Sequence, residues 1–267
     1  MTNANVGVRV SVLQGSAAGN AVYVETQTAT TTANGLMTLS FTPGVSCPGT
    51  PTVTDYDGNT YNTVQIGTQC WMKENLKTTH YSDGTNIPLG SGSSSTSPFR
   101  YYPNDNDSTK YEYGLLYNWA AVMNGAQSSD SIPSGIQGVC PNGWHVPSKE
   151  EFVLLTDYLS ANEEYLCNLN QNNIAAALSD TIGWIQPYNC QECNPCSGNN
   201  TSGFSARGAG YRVNYATGFK TCTNYSTTTN SYGDLNYTLS LSYQNSNASM
   251  DGYSYPTYAY SVRCLKD

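Results

Sequence analysis

Charge is what this sequence has least of. Asp, Glu, Lys and Arg together make up 11% of the 267 residues, against about 25% in an ordinary soluble domain. Cations are the scarcer half: eleven Lys and Arg face nineteen Asp and Glu, for a net charge of −8. Binding a phosphate backbone needs a basic stripe, and cations spread thinly along the chain supply none, which excludes nucleic acid as a partner. Histidine is nearly absent too. His80 lies in a polar stretch, and His145 lies inside Gly-Trp-His-Val-Pro ahead of a helix, where a structural role is expected. With no HExxH, no Ser-His-Asp ordering and no phosphate-cradling glycine loop, the chain reads as a non-enzyme. Long apolar runs are also missing. None approaches the ~18 residues that cross a bilayer, so no transmembrane segment is expected. Met1 leads into a polar tetrad rather than a signal peptide, so if the native protein is exported, this sequence is a mature fragment or a piece of a longer chain.

Neutral polarity stands in for charge, carried by Asn, Ser, Thr, Gly and Tyr. Such a composition can signal disorder, but 22 Tyr, 4 Trp and several strongly patterned segments argue for a folded domain with long polar loops. Nine cysteines are present: Cys47, Cys70, Cys140, Cys167, Cys190, Cys193, Cys196, Cys222 and Cys264. Scattered cysteines with few Lys and Glu fit an oxidising compartment, outside the cell or on its surface. Their odd number leaves one thiol free, or joined to a region outside this chain.

Along the chain, residues 6–14 alternate Val8, Val10 and Val12 on one side, and residues 21–28 alternate again. A third strand over 36–41 follows Asn34-Gly35, a strong hairpin signal. Residues 1–46 thus form a β-rich segment too small for its own core, expected to dock elsewhere or to belong to a truncated repeat. Residues 47–51 lie in a Pro- and Gly-rich stretch and read as a linker. The main domain is assigned to 52–267. Within it, Asp57-Gly58-Asn59 predicts a hairpin turn; Asp55-x-Asp57-x-Asn59 also mimics the start of a calcium loop, but its glycine falls one place early and no Glu closes it. Residues 64–75 predict one strand anchored by Trp71. Residues 112–123 carry Leu115, Leu116, Trp119 and Val122 at helical spacing. A second helix is announced by the capping box Ser148-x-x-Glu151 after Pro147, and its stripe is Phe152, Leu155 and Leu159, widened by Leu154 and Tyr158. Residues 172–180 predict a further helical turn or two, and from about 185 onward loops and short strands are expected.

Two motifs admit metal. Cys190-x-x-Cys193-x-x-Cys196 spaces three thiolates like part of a zinc or iron–sulfur site, with Cys222 as the candidate fourth ligand. In an oxidising compartment a loop pinned by disulfides is the favoured alternative, with Cys190, Cys193, Cys196 and Cys222 counted among the disulfide-forming cysteines. Asn104-Asp105-Asn106-Asp107-Ser108 gathers hard oxygen ligands, so calcium is possible at Asp105 and Asp107; a solvated turn is the plainer expectation.

Several blocks together carry a resemblance: Asp57-Gly58-Asn59-x-Tyr61, Ile66-Gly67-x-Gln69-x-Trp71-Met72-x-Glu74-Asn75-Leu76, Tyr113-Gly114-x-Leu116-Tyr117-Asn118-Trp119, Cys140-Pro141-x-Gly143-Trp144-His145-Val146-Pro147-Ser148, Ser202-Gly203-Phe204-Ser205-Ala206, Gly210-Tyr211-Arg212 and Ser261-Val262-Arg263-Cys264-Leu265-Lys266-Asp267. In this order they resemble the Fibrobacter succinogenes major paralogous domain, a module of exported and lipid-anchored proteins of the Bacteroidetes–Fibrobacteres group. The segment before it resembles the β-rich, immunoglobulin-like repeats that precede this module. The resemblance implies an α+β fold akin to C-type lectins and the formylglycine-generating enzyme, with two main helices, small antiparallel sheets and long loops. It also implies a Cys140–Cys264 cross-link tying the helical region to the final strand. It implies no activity. The catalytic relative works through paired thiols close in sequence, whereas here Cys222 and Cys264 stand 42 positions apart. The family's usual Trp-Ser-Ser block is absent between 221 and 260, so the late loops of this copy have diverged.

Residues 221–260 hold 8 Tyr, 5 Asn, 7 Ser and 7 Thr, 27 of 40. Tyrosine offers contact area at low entropic cost, and Asn and Ser offer adaptable hydrogen bonds; low-charge exported β-chain can also simply look like this. The expected function is a non-catalytic surface or secreted adhesion module, recognising a glycan or a surface protein through Tyr237, Tyr243, Tyr253, Tyr255 and Tyr258. The alternatives are a structural subunit of an envelope or filament, self-assembling through its N-terminal strands, and a thiol or metal enzyme.

Overall fold

A computed structural model describes residues 44–186 and 190–267, together with two short strands nearer the N-terminus. Those two, β1 (Thr30–Thr31) and β2 (Met37–Thr38), pair antiparallel; the predicted turn at Asn34-Gly35 lies outside the described residues. The strands predicted over 6–14 and 21–28 lie outside the described residues.

The remaining architecture is α+β. The first sheet runs β3 (Thr52–Thr54), β4 (Thr60–Ile66), β5 (Gln69–Met72), then β15 (Leu265–Lys266) and β8 (Trp144–His145). The second takes the order β10 (Ala216–Thr217), β9 (Tyr211–Arg212), β14 (Ala259–Tyr260), β7 (Leu116–Asn118), β6 (Arg100–Tyr101). A third holds β11 (Cys222–Asn230), β12 (Asn236–Ser242) and β13 (Ser249–Ser254). The helices are α1 (Lys110–Tyr113), α2 (Trp119–Met123), α3 (Lys149–Ala161) and α4 (Ala175–Leu178).

Local chemistry explains most of these boundaries. Asp55 turns the chain between β3 and β4, its carboxylate accepting from Asn59 N at 2.9 Å and from the Tyr61 hydroxyl at 2.6 Å. The stretch assigned as a linker runs along β4: Gln65 N donates to Val45 O, and Thr63 N to Pro51 O. Residues 64–75, predicted as one strand, are instead the end of β4, a turn and β5. The turn is Gly67-Thr68, with Gly67 at φ 57° and Ile66 facing Gln69. Alternation hides such a two-residue reversal, because both arms keep the same period.

The helix predicted over 112–123 is also broken. Gly114 sits at φ 76°, where a Cβ would lie 2.6 Å from Asn75 Cβ and 2.8 Å from Leu76 O. Leu115 N then donates to Leu76 O at 2.9 Å, and β7 pairs with β6 and β14. Sheet pairing wins over a helical apolar spacing, and Asn118 restarts the helix by accepting from Ala121 N.

Helix α3 follows the expected chemistry. Ser148 and Glu151 form the reciprocal capping box, and Phe152, Leu155 and Leu159 are fully buried. Leu154 does not join the stripe; it is exposed. Phe152 stacks on Trp71 at 5.0 Å, and Phe204 meets both Trp71 and Tyr225 edge-on. These residues join Val64, Leu239 and Leu241 in one core, while Tyr61, Met72, Leu115, Tyr117, Val146 and Val262 build another. Each such large side chain contributes about 1.5–3 kcal/mol of burial.

Four disulfides staple the domain: Cys47–Cys70, Cys140–Cys264, Cys167–Cys193 and Cys190–Cys196. Cys140–Cys264 is the pair the resemblance implies. Cys222, grouped with the disulfide-forming cysteines from sequence, is free. Its would-be partners in the triple-cysteine loop are already joined to each other and to Cys167, and its own Sγ lies 3.6 Å from Gly218 O. Cys190, Cys193 and Cys196 therefore offer no thiolate, which answers the metal reading of that loop with cross-links. Among the described residues no helix is long and apolar enough to cross a membrane.

Candidate functional site

The late tyrosines stand where three strands of the third sheet meet β14 of the second. Strand β12 alternates: Leu239 and Leu241 point into the core under α3, while Asn236 and Thr238 are buried on the other face. Across Asn236 and Thr238, together with Ser226 of β11, lie Trp119, Tyr255, Tyr258 and Tyr260. These polar groups form a floor and the rings its walls. Tyr255 and Tyr258 have centroids 5.3 Å apart, Tyr258 and Tyr260 6.4 Å, and Tyr260 and Tyr211 6.0 Å. The four rings make a continuous ladder in which Tyr260, 7% exposed, is the buried rung, Tyr211 and Tyr258 on either side of it are half-buried, and Tyr255 at one end is 54% exposed.

Strand ends and one glycine set this geometry. Pro256 O accepts from Trp119 N at 3.2 Å, and Tyr258 N donates to Tyr255 O, so the segment after β13 turns tightly over α2. Tyr237 lies across Gly252, where a Cβ would sit 2.8 Å from its ring, and Lys149 Nζ stands 4.9 Å from the ring centroid. Burial raises the phenol pKa values of Tyr260 and Tyr211. Both remain neutral donors at neutral pH. The rings are tilted or edge-on to one another and the hollow between them is only about 10 Å³, so a ligand with an apolar face and hydroxyl edges, such as a sugar ring, would lie across the exposed end at Tyr255 and Tyr258 rather than enter it.

Of the five tyrosines named from sequence, Tyr237, Tyr255 and Tyr258 line this hollow. Tyr253, on β13, is 80% exposed. Tyr243 is elsewhere: it follows the far end of β12 and packs against the core under α3, its backbone oxygen 3.6 Å from the disulfide sulfur of Cys196. Trp119, Tyr211 and Tyr260 were not read as site residues. Their signals were present in Tyr255-x-x-Tyr258-x-Tyr260 and in the Gly210-Tyr211-Arg212 block, but nothing in sequence says that β9 and β14 are neighbours.

The acidic turn has its own partners. Asp105 forms an ion pair with Arg212 and accepts from Ala216 N at 3.0 Å, and Asn106 accepts from Ser108 N, while Asp107 is exposed. His145 is a buried strut. Its Nε2 lies 2.9 Å from Glu151 and its Nδ1 2.7 Å from Asp267, tying the start of α3 to the end of the final strand.

The family model of the Fibrobacter succinogenes major domain matches residues 64–266. The chain belongs to that family. The matched range begins within β4 and takes in α3, every rung of the ladder and every core residue named above except Tyr61. No curated protein and no solved structure matches the chain, so family membership brings no named activity to this member of the Fibrobacter succinogenes major domain family.

Proposed function

We propose that this domain is a non-catalytic recognition module of the extracellular space or cell surface, which binds carbohydrate by laying sugar faces on Tyr255 and Tyr258, the open end of the ladder that continues inward through Tyr260 and Tyr211. The observation that carries the reading is the ladder itself: four rings in contact, opening to solvent at Tyr258 and Tyr255, with Tyr260, Tyr258 and Tyr255 beside the neutral Ser226, Asn236 and Thr238. Four disulfides support the compartment, since such bonds form and persist where thiols are oxidised. A glycan array run with the wild-type domain and with Tyr255→Ala/Tyr258→Ala tests it. Both rings are solvent-facing enough to be removed without opening the core, so the double variant keeps the wild-type melting temperature and loses at least tenfold in affinity for its glycan hits. Hits retained at full strength would move the site elsewhere. A domain that ignores glycans but captures a protein partner through the same two tyrosines would replace the ligand class and keep the surface.

A further inference from the structure

The eleven cations of this chain are not evenly used. Five of them, Lys73, Lys77, Lys110, Arg207 and Arg263, line a single cleft of about 270 Å³ between β5, α1 and the segment after α4. That size is near the lower end of the ~300–1,000 Å³ typical of ligand sites. Three carboxylates share the cleft, and each is already held. Asp180 accepts from Arg207 Nε at 2.8 Å, Glu112 lies 3.7 Å from the same guanidinium, and Glu74 accepts from Asn62 N and Nδ2 at 2.8 Å each. Among the described residues Lys73, Lys77 and Lys110 make no ion pair.

Arg263 is the decisive group. It is 1% exposed, yet among the described residues no carboxylate lies within ion-pair distance of it. Its guanidinium donates to neutral oxygens: Met72 O at 3.2 Å, Phe204 O, Ser205 O and the Asn75 side chain at 2.6 Å. Its Nε has no partner at all. A charge taken out of water is costly unless an opposite charge meets it, and here the lining of an open cleft is the place where such a charge can arrive.

We infer that this cleft binds the carboxylate of an acidic saccharide, a uronate unit within a glycan. Five cations against three carboxylates leave an excess of two positive charges, which favours an anion, and a carboxylate carried on a polyhydroxylated ring also brings hydroxyl donors to Glu74, Glu112 and Asp180, which a fully ionised phosphate does not. Those same carboxylates are acceptors for ring hydroxyls. Tyr111, 75% exposed beside the cleft with Lys110 Nζ 5.0 Å from its centroid, offers a face for the sugar ring. The cleft shares no residue with the tyrosine ladder, so either site can fail alone.

The test is calorimetric titration of the full chain with trigalacturonate, with its methyl ester, which keeps the ring and removes the charge, and with maltotriose. Trigalacturonate binds, the ester binds at least tenfold more weakly, and raising salt from 0.05 to 0.5 M, a change on the order of a threefold shorter screening length, weakens the acid alone. Lys73→Gln/Lys77→Gln lowers affinity for the acid at least tenfold while Tyr255→Ala/Tyr258→Ala leaves it unchanged. Both lysines are half-buried and unpaired, and an unaltered melting temperature shows the variant to be folded. Equal binding of acid and ester, or no binding of the acid, would overturn the inference and leave the ladder untouched. Loss of acid binding in the ladder variant would place the uronate at the ladder instead, which also overturns it.

Discussion

Removing the Cys140–Cys264 cross-link by paired Cys→Ala substitution should destabilise the domain far more than removing Cys190–Cys196 in the same way. The bonds close loops of very different length, with sequence separations of 124 and 6. The longer loop is not free, because Cys167–Cys193 bridges part of it. With that shortcut the effective loop is about 100 residues, for which the chain-entropy relation gives about 4.7 kcal/mol of stabilisation. The same relation gives about 2.4 kcal/mol for the short loop. The difference, about 2.3 kcal/mol, is a large fraction of the 5–15 kcal/mol that typical domains possess. Packing pushes in the same direction, since both Cys140 and Cys264 are fully buried whereas Cys190 is only half-buried.

Equilibrium urea unfolding of the two double variants, without reductant, measures both losses against wild type. A steeper denaturant dependence in the Cys140/Cys264 variant should accompany the drop, because its unfolded ensemble expands more. Equal losses, or a larger loss for the Cys190/Cys196 variant, would refute the view that these bonds act through closure of the unfolded chain.

Three further outcomes follow from buried polar groups. Burial disfavours the His145 imidazolium, but hydrogen bonds and charges from Glu151 and Asp267 outweigh it, and the net shift is upward. A raised folded pKa stabilises fully below the unfolded value of about 6.5 and is lost as pH rises through the folded one, so the stability gap between wild type and His145→Gln should be widest near pH 6 and shrink towards pH 9; a gap that widens with pH contradicts the assignment. Asn118→Ala should cost about 3 kcal/mol or more by thermal melting, since the side chain meets Phe99 N, Ala121 N, Ser94 O and Ser97 O at once and each stranded partner costs about 1–3 kcal/mol. Burial pushes the Cys222 thiol up to about 11, so a thiol reagent at pH 8 should find almost nothing in the native protein and one thiol per chain after unfolding without reductant; two or more would mean an open cross-link.

What could be read in the sequence was whatever is local and repeats a known chemical rule. Ser148 and Glu151 announce α3 because a capping box is complete within four residues, and Asp57-Gly58-Asn59 announces its turn for the same reason. Trp71 could be named as a core anchor because a large apolar ring has few other places to go. The broken helix around Gly114 could not be read, since what breaks it is Leu76, far away in sequence. Strand β11 is the clearest failure. Residues 222–230 have no apolar alternation, yet Thr223, Asn224, Ser226, Thr227, Thr228 and Thr229 are buried along it. Periodicity arguments look for apolar residues on one face, and this strand hides threonine on both. The ladder was half legible for a related reason: tyrosine density marks the segment, but only the pairing of β14 with β9 brings Tyr211 to Tyr260.

The threonine strand also explains why cross-links and aromatic surface occur together. Three of its threonine hydroxyls are satisfied from inside: Thr227 Oγ1 donates to Tyr237 O at 2.8 Å, Thr228 and Thr229 donate to Ser129 O at 2.7 and 2.9 Å, and Thr229 Oγ1 accepts from Lys149 N at 3.0 Å, while Thr223 Oγ1 has no partner among the described residues. Each such bond contributes about 1 kcal/mol net, less than the 1.5–3 kcal/mol of a buried Leu or Val. An interior built this way is specific in geometry but weak in hydrophobic drive. Shrinking the entropy of the unfolded chain is the remaining route to stability, and four disulfides supply it. Once stability no longer depends on gathering every large ring into the core, tyrosines such as Tyr253 and Tyr255 can stand in solvent, and scarce cations such as Lys73 and Lys77 can be left unpaired beside a cleft. The scaffold is thus one in which the groups best suited to touching a ligand are those the fold does not need for itself.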